Sequence, residues 1–157
     1  MNCGKIKKAC FIASSGGHWE ELMCLREIAD AYDTFFVTEE GGQAEDSNLK
    51  KIYTLSQINR HEKRFFWHFF KLFKSALKIL KKEKPDFVIT TGALIAFPFC
   101  VFAKLRGTKI IYIESFARVN NQSLTGKLVY PFADLFLVQW EPLLKFYPKA
   151  KYVGGIF

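Results

Sequence analysis

Phe11-Ile12-Ala13-Ser14-Ser15-Gly16-Gly17-His18-Trp19-Glu20-Glu21-Leu22 decides the fold. The apolar run Ala9 to Ala13 reads as a short buried strand, and Trp19, Leu22, Met23, Leu25 and Ile28 then recur at helical spacing. A strand that turns through glycines into a helix directs backbone N–H groups and the positive helix end into one crevice. That geometry suits phosphate or another anion. The form is S-S-G-G-H, with neither the G-x-G-x-x-G of dinucleotide folds nor the lysine of a P-loop. A tight strand-to-helix turn without any ligand is the competing reading at this point.

Outward from that turn, the pattern repeats. Thr34 to Thr38 and Lys51 to Leu55 read as strands, separated by a polar loop over Glu39 to Asn48. Asp86 to Gly92 is a second strand ending in glycine, and Ala93 to Leu105 reads as a buried helix stopped by Gly107. Lys109 to Ile113 is a near-continuous apolar strand, as a sheet covered on both faces requires. A short helix over Ser123 to Phe132, a strand over Asp134 to Val138, a helical turn over Pro142 to Tyr147 and a strand over Lys151 to Val153 complete the chain. Alternating strands and helices predict an α/β, doubly wound, mostly parallel Rossmann-like sheet, read as one domain over residues 1–157.

Composition narrows the function. Half of the 157 residues are hydrophobic and 17 are Phe, a globular composition with aromatic surface to spare. Cys3, Cys10, Cys24 and Cys100 lie far apart, which argues against a disulfide framework or zinc site and for a reducing compartment. No metal is expected. The amino-terminal apolar run is too short for a signal peptide, and Ala93 to Ala103 falls well short of the roughly 20 residues a spanning helix needs.

Net charge is +8, but it is not spread evenly. Residues 60–84 hold nine Lys and Arg against two Glu, so seven of the eight net charges sit there. On a helical wheel, Phe65, Phe66, Phe69, Phe70, Leu72, Phe73, Ala76, Leu77, Ile79 and Leu80 fill about half. Lys71, Lys74 and five other basic residues fill the rest, joined by Trp67. A sheet-covering helix with a solvated lysine face is the ordinary explanation. Trp67 among the lysines and the Phe-rich start point further, to a peripheral membrane anchor. Each basic residue near an anionic surface adds on the order of 1 kcal/mol. The expected contact residues are Phe65, Phe66, Trp67, Phe69, Phe70, Lys71 and Lys74. No groove-reading motif accompanies the lysines, so nucleic acid is not the expected partner.

Glu114-Ser115-Phe116-Ala117-Arg118-Val119-Asn120 leaves the carboxyl end of a central strand, the edge where doubly wound sheets hold ligands. The loop at Thr90, Thr91 and Gly92 opens on the same edge. Three loops should therefore meet around one polar, anion-tolerant crevice beside a membrane-seeking helix.

The segments S-S-G-G-H (14–18), T-T-G (90–92), I-E-S-F-A-R (113–118), S-L-T-G-K (123–127) and P-F-A-D-L-F-L-V-Q-W (131–140) together resemble a known family. It comprises the oligosaccharide-biosynthesis subunits of two-part glycosyltransferases. One branch is the acceptor subunit of the eukaryotic UDP-GlcNAc transferase acting on dolichol-linked sugar. Another is the bacterial PssD and CpsF kind of capsule and exopolysaccharide assembly. The resemblance implies the N-terminal half of a GT-B glycosyltransferase, with the nucleotide-sugar donor held on a separate chain resembling the C-terminal half. It implies no cofactor here, a lipid-linked saccharide as acceptor, and partner contact through the tail Gly154, Gly155, Ile156 and Phe157. Eukaryotic members carry an N-terminal membrane helix that this sequence does not show, which favours the bacterial branch and the cytoplasmic face of the plasma membrane.

On the same resemblance, Ser14, Ser15, Gly16, Gly17, Thr91, Gly92, Ser115, Arg118 and Asn120 would bind acceptor or phosphate. His18 would bond phosphate or take the acceptor proton, unless it merely caps the helix. Glu114 is the second candidate base, unless it pairs with Arg118. A self-sufficient nucleotide-sugar enzyme and a non-catalytic membrane adaptor are the other functions considered.

Overall fold

The computed structural model describes residues 6–41, 49, 51–57 and 65–157, without the side chains of residues 65 and 66. Residues 1–5, most of the polar loop before β3, His61, and the basic residues Arg60, Lys63 and Arg64 lie outside the described residues, as do the side chains of Phe65 and Phe66.

The strands are β1 (Lys8–Ile12), β2 (Asp33–Glu39), β3 (Ile52–Leu55), β4 (Phe87–Thr90), β5 (Lys109–Ile113), β6 (Leu135–Val138) and β7 (Lys151–Tyr152). The helices are α1 (Gly17–Met23), α2 (Arg26–Asp30), α3 (Phe65–Glu83), α4 (Ala96–Leu105) and α5 (Leu124–Val129). A 3-10 turn spans Glu141–Lys145. All seven strands pair in parallel, in the order β3-β2-β1-β4-β5-β6-β7. The chain runs outward from β1 to β3, then crosses back to β4 and runs outward the other way. The direction reverses between β1 and β4, and a doubly wound sheet opens its crevice at that point.

β1 shows why both faces are covered. Cys10 and Ile12 point into a core with Leu72, Ala76, Ile79 and Leu80 of α3 and Phe99, Cys100 and Ala103 of α4. Ala9, Phe11 and Ala13 point the other way, against Trp19 and Leu22 of α1, Ala29 of α2 and Phe36. Each fully buried Leu, Ile or Phe contributes roughly 1.5–3 kcal/mol. Period-2 alternation between two apolar layers leaves no polar position from Ala9 to Ile12, so that part of β1 reads as an unbroken apolar run.

Helix ends follow local chemistry. Pro98 sits in the first turn of α4, where a missing N–H breaks no helical bond. α3 stops where Lys84 turns left-handed at φ 48°, with Pro85 next. Ser123 caps α5, its hydroxyl accepting from the Gly126 N–H at 2.9 Å. The helix expected to run on from Trp19 to Ile28 is two pieces, broken at Cys24 and Leu25, where no glycine or proline marks the break.

α3 turns its apolar stripe inward, with one correction to the expected membrane face. Phe69 is half-buried and packs edge-on against Phe73 at 5.0 Å, so it belongs to the core side. Trp67 and Phe70 are 59% and 55% exposed, far outside what a core tolerates. The Lys71 ammonium lies 5.7 Å from the Trp67 ring centre, and that of Lys74 lies 5.0 Å from the Phe70 ring. Among the described residues no helix is long and apolar enough to cross a membrane.

Candidate functional site

The loops after β1, β4 and β5 leave neighbouring strands at the same sheet edge, as the sequence predicts. Side chains then tie them together. His18 on α1 meets the Thr91 carbonyl through Nδ1 at 2.9 Å, and the Thr91 hydroxyl donates to the His18 carbonyl at 2.7 Å. One turn further along α1, Glu21 Oε1 accepts the Ser115 hydroxyl at 3.0 Å and the Phe116 N–H at 2.8 Å. α1 is thus fastened at His18 to the β4 loop and at Glu21 to the β5 loop.

Glycine is needed twice in the S-S-G-G-H and T-T-G turns. Gly16 has φ +80° and opens α1, accepting from Trp19 and Glu20. Gly92 has φ +108°, and a β-carbon there would stand 2.8 Å from the Tyr112 hydroxyl and 3.5 Å from His18 Cε1. The next residue, Ala93, is also left-handed at φ 70°, a costly conformation for a residue with a β-carbon.

Several expected site residues are committed elsewhere. Ser15 gives its N–H and hydroxyl to Glu39 at the end of β2; burial lifts that carboxyl above its ordinary range, against the pull of both bonds. The Ser15 groups expected to meet an anion therefore meet a side-chain carboxyl of the protein itself. Ser14 stays half-buried, while Gly16 and Gly17 are exposed. Ser115 is buried, with its hydroxyl on Glu21 and its N–H on Glu114 Oε1 at 3.1 Å. Arg118 and Asn120 stand on the exposed part of the loop, and Arg118 bonds Asn121 at 3.2 Å.

Glu114 departs furthest from expectation. It is fully buried, and rather than facing the crevice or Arg118 its Oε2 accepts from the Ser123 N–H (3.2 Å), the Ser123 hydroxyl (3.1 Å) and the Tyr147 hydroxyl (2.6 Å). Its own carbonyl accepts from Gln139 at 3.1 Å. A carboxylate with its lone pairs so occupied organises a loop. Burial and the adjacent carboxylate push the Tyr147 phenol far above its ordinary value.

Sequence reasoning missed Glu21. It is 3% exposed, its Oε2 is buried without a hydrogen-bond partner, and burial raises its carboxyl despite the Phe116 and Ser115 bonds that pull it down. The signal was available: His18, Glu21, Leu22 and Leu25 fall on one helical face, so a carboxylate stood among buried positions.

The tail folds onto this same rim. The Ile156 N–H donates to Gln139 at 3.0 Å, and Phe157 packs edge-on against Phe116 at 5.4 Å. Phe116 also meets Trp140 at 4.8 Å and accepts from its indole N–H at 2.7 Å. Gly154 turns left-handed at φ 76°, and a β-carbon on Gly155 would lie 3.2 Å from the Phe116 ring. Among the described residues no group of three or more His, Cys, Asp or Glu side chains could hold a metal ion.

Solved structures share the fold. MurG of Acinetobacter baumannii superposes with a TM-score of 0.75 over 94% of this chain and 45% of its own, at 19% identity. A UDP-N-acetylglucosamine 2-epimerase of Rickettsia bellii superposes with a TM-score of 0.74 over 97% and 46%, at 16% identity. The sheet is Rossmann-like, resembling one half of a GT-B glycosyltransferase.

Curated relatives are closer in sequence. A UDP-N-acetylglucosamine transferase subunit, ALG14, of Yarrowia lipolytica is 42% identical over 52% of this chain and 41% of its own length. The subunits of the same name from mouse and human are 31% and 30% identical over 92% of this chain, and 81% of theirs. These relatives are eukaryotic, and they support the anchor-subunit side of the resemblance rather than its bacterial capsule branch. The family model for Alg14-like oligosaccharide biosynthesis proteins matches residues 9–156, and the chain belongs to that family.

Proposed function

We propose that this chain is the acceptor-binding, membrane-recruiting subunit of a two-component glycosyltransferase. The reaction would move N-acetylglucosamine from its UDP donor to a lipid-linked saccharide, with the donor held on a separate chain resembling a GT-B C-terminal half. The names of the curated relatives support the sugar and the subunit role. The observation that carries the reading is His18 held by two bonds to the β4 loop, on a helix that Glu21 fastens to the β5 loop, a half-buried imidazole at the sheet's switch point. His18 is the proton acceptor for the attacking hydroxyl. Gly16 and Gly17, exposed beside it, present main chain to the acceptor's diphosphate.

Glu114 takes a different part from the one its motif suggests: it shapes the loop from Ser115 to Ser123 and touches no substrate. Residues 60–84 recruit the chain to a membrane, through Trp67 and Phe70 with Lys71 and Lys74 around them. The aromatic rim of Phe116, Trp140 and Phe157 is where the donor-binding chain docks.

Reconstitution tests this. Transfer should need the chain, its donor-binding partner, UDP-N-acetylglucosamine and acceptor-bearing vesicles together. Transfer by this chain alone would favour a self-sufficient enzyme. Undiminished transfer by His18→Ala would leave only an adaptor role.

A further inference from the structure

The carbonyl of Thr91 can accept a hydrogen bond and cannot donate one. The 2.9 Å contact from His18 Nδ1 to that oxygen therefore requires the proton to sit on Nδ1. In the neutral ring, Nε2 is then the bare nitrogen. Unconstrained histidine in water favours the opposite form, with the proton on Nε2, so the protein reverses the ring's own preference.

The surroundings hold that choice. Thr91 is fully buried, and its hydroxyl bonds back to the His18 carbonyl at 2.7 Å, so ring and acceptor are fixed to each other through two separate bonds. Turning the ring over would place a C–H against the carbonyl and leave a buried acceptor unserved. The β4 loop cannot drift away, because the Thr90 hydroxyl accepts the Gly92 N–H at 3.0 Å. α1 cannot drift either, because Glu21 ties it to Ser115 and Phe116.

We propose that Thr91 is a positioning residue for His18, holding it as the Nδ1–H tautomer so that Nε2 is the ring's proton-accepting atom. The inference deepens the reading of His18 as the proton acceptor and rests on it. In the step this prepares, the acceptor hydroxyl gives its proton to Nε2 as its oxygen bonds to the sugar's anomeric carbon. The bond from that carbon to the diphosphate breaks, and UDP leaves with the electron pair. The ring becomes an imidazolium whose Nδ1–H still donates to Thr91, now as a stronger, charge-assisted bond.

Long-range ¹H–¹⁵N correlation on the full chain with ¹⁵N-labelled histidine, at a pH where the ring is neutral, reads the tautomer directly. His18→Asn assigns the peaks. The expected pattern for His18 is a protonated Nδ1 and a bare Nε2; a protonated Nε2, or an average of the two forms, overturns the proposal. Thr91→Val should shift the pattern toward the average and lower kcat of the reconstituted pair by about tenfold with little change in KM. Thr91→Ser should restore both, and an unchanged Thr91→Val spectrum overturns the proposal. His18→Asn keeps an N–H donor for the Thr91 carbonyl and removes Nε2. It should fold, assemble with the partner and lose about 100-fold in transfer. Retained transfer in that variant would sink the proton-acceptor reading, whereas the wrong tautomer sinks the role given to Thr91.

Discussion

Gly126 stands so close to Glu114 that a β-carbon on it would overlap the carboxylate, the Tyr147 hydroxyl and the Ser123 hydroxyl at once. A glycine inside a helix ordinarily costs about 0.5–1 kcal/mol relative to alanine, and here it makes room for a buried acid. Gly126→Ala should therefore destabilise the fold by about 1–3 kcal/mol. Gly17→Ala, with open space around it, should change stability by less than about 1 kcal/mol. Thermal melts of the two variants check the contrast.

Glu114 and Tyr147 should be coupled. Each single change, Glu114→Gln or Tyr147→Phe, leaves a buried polar partner badly served and should cost about 1–3 kcal/mol. The double variant should cost less than the sum by about 0.5–3 kcal/mol. Strict additivity in denaturant unfolding would contradict the shared network.

At the opposite edge of the sheet, Glu83 closes α3 with its side chain almost wholly buried. Burial alone would raise its carboxyl, but bonds from Lys51 (2.8 Å), Tyr53 (2.5 Å) and Lys8 (3.2 Å) outweigh that and hold it down at about 2. A carboxyl depressed in the folded state adds stability in full above its ordinary value of 4.5, and loses it as pH falls toward about 2. Glu83→Gln should be less stable than the parent by roughly 3 kcal/mol at neutral pH. The gap between the two should narrow steadily over that acid range in denaturant titrations.

Binding to anionic vesicles should fall about fivefold for each of Lys71→Ala and Lys74→Ala, the equivalent of roughly 1 kcal/mol apiece. Added salt should weaken the parent and shrink those differences. Trp67→Ser with Phe70→Ser should weaken binding at every salt concentration, since burial of aromatic surface is not screened. Sedimentation with vesicles tells the two contributions apart. Equal binding by the parent and the aromatic double variant would remove α3 as the membrane contact.

What could be read from the sequence was what repeats locally. Apolar runs gave the strands and glycines the turns. The wide apolar arc of α3 was visible too, but a wheel does not say which aromatics the neighbouring helix will cover. Phe69 went inward because Phe73 sits beside it, next to α4. The misread site residues share one cause. Glu21 meets Ser115 across 94 positions and Glu114 meets Tyr147 across 33, and neither separation leaves a periodic trace. A motif can announce that a carboxylate matters without saying what it touches. Glu39 on Ser15 is the same case, an internal carboxyl brought to an anion-friendly turn by the pairing of β1 with β2.

The fastening of α1 at His18 and at Glu21 makes the three crevice loops a single plate, not three separate fingers. Their freedom is surrendered when the chain folds, so an arriving molecule has little of it left to quench. Adaptation between this rim and whatever it receives falls to the guest, because the rim keeps few rotatable joints of its own. Selectivity of such a surface lies in rejecting shapes that do not fit it.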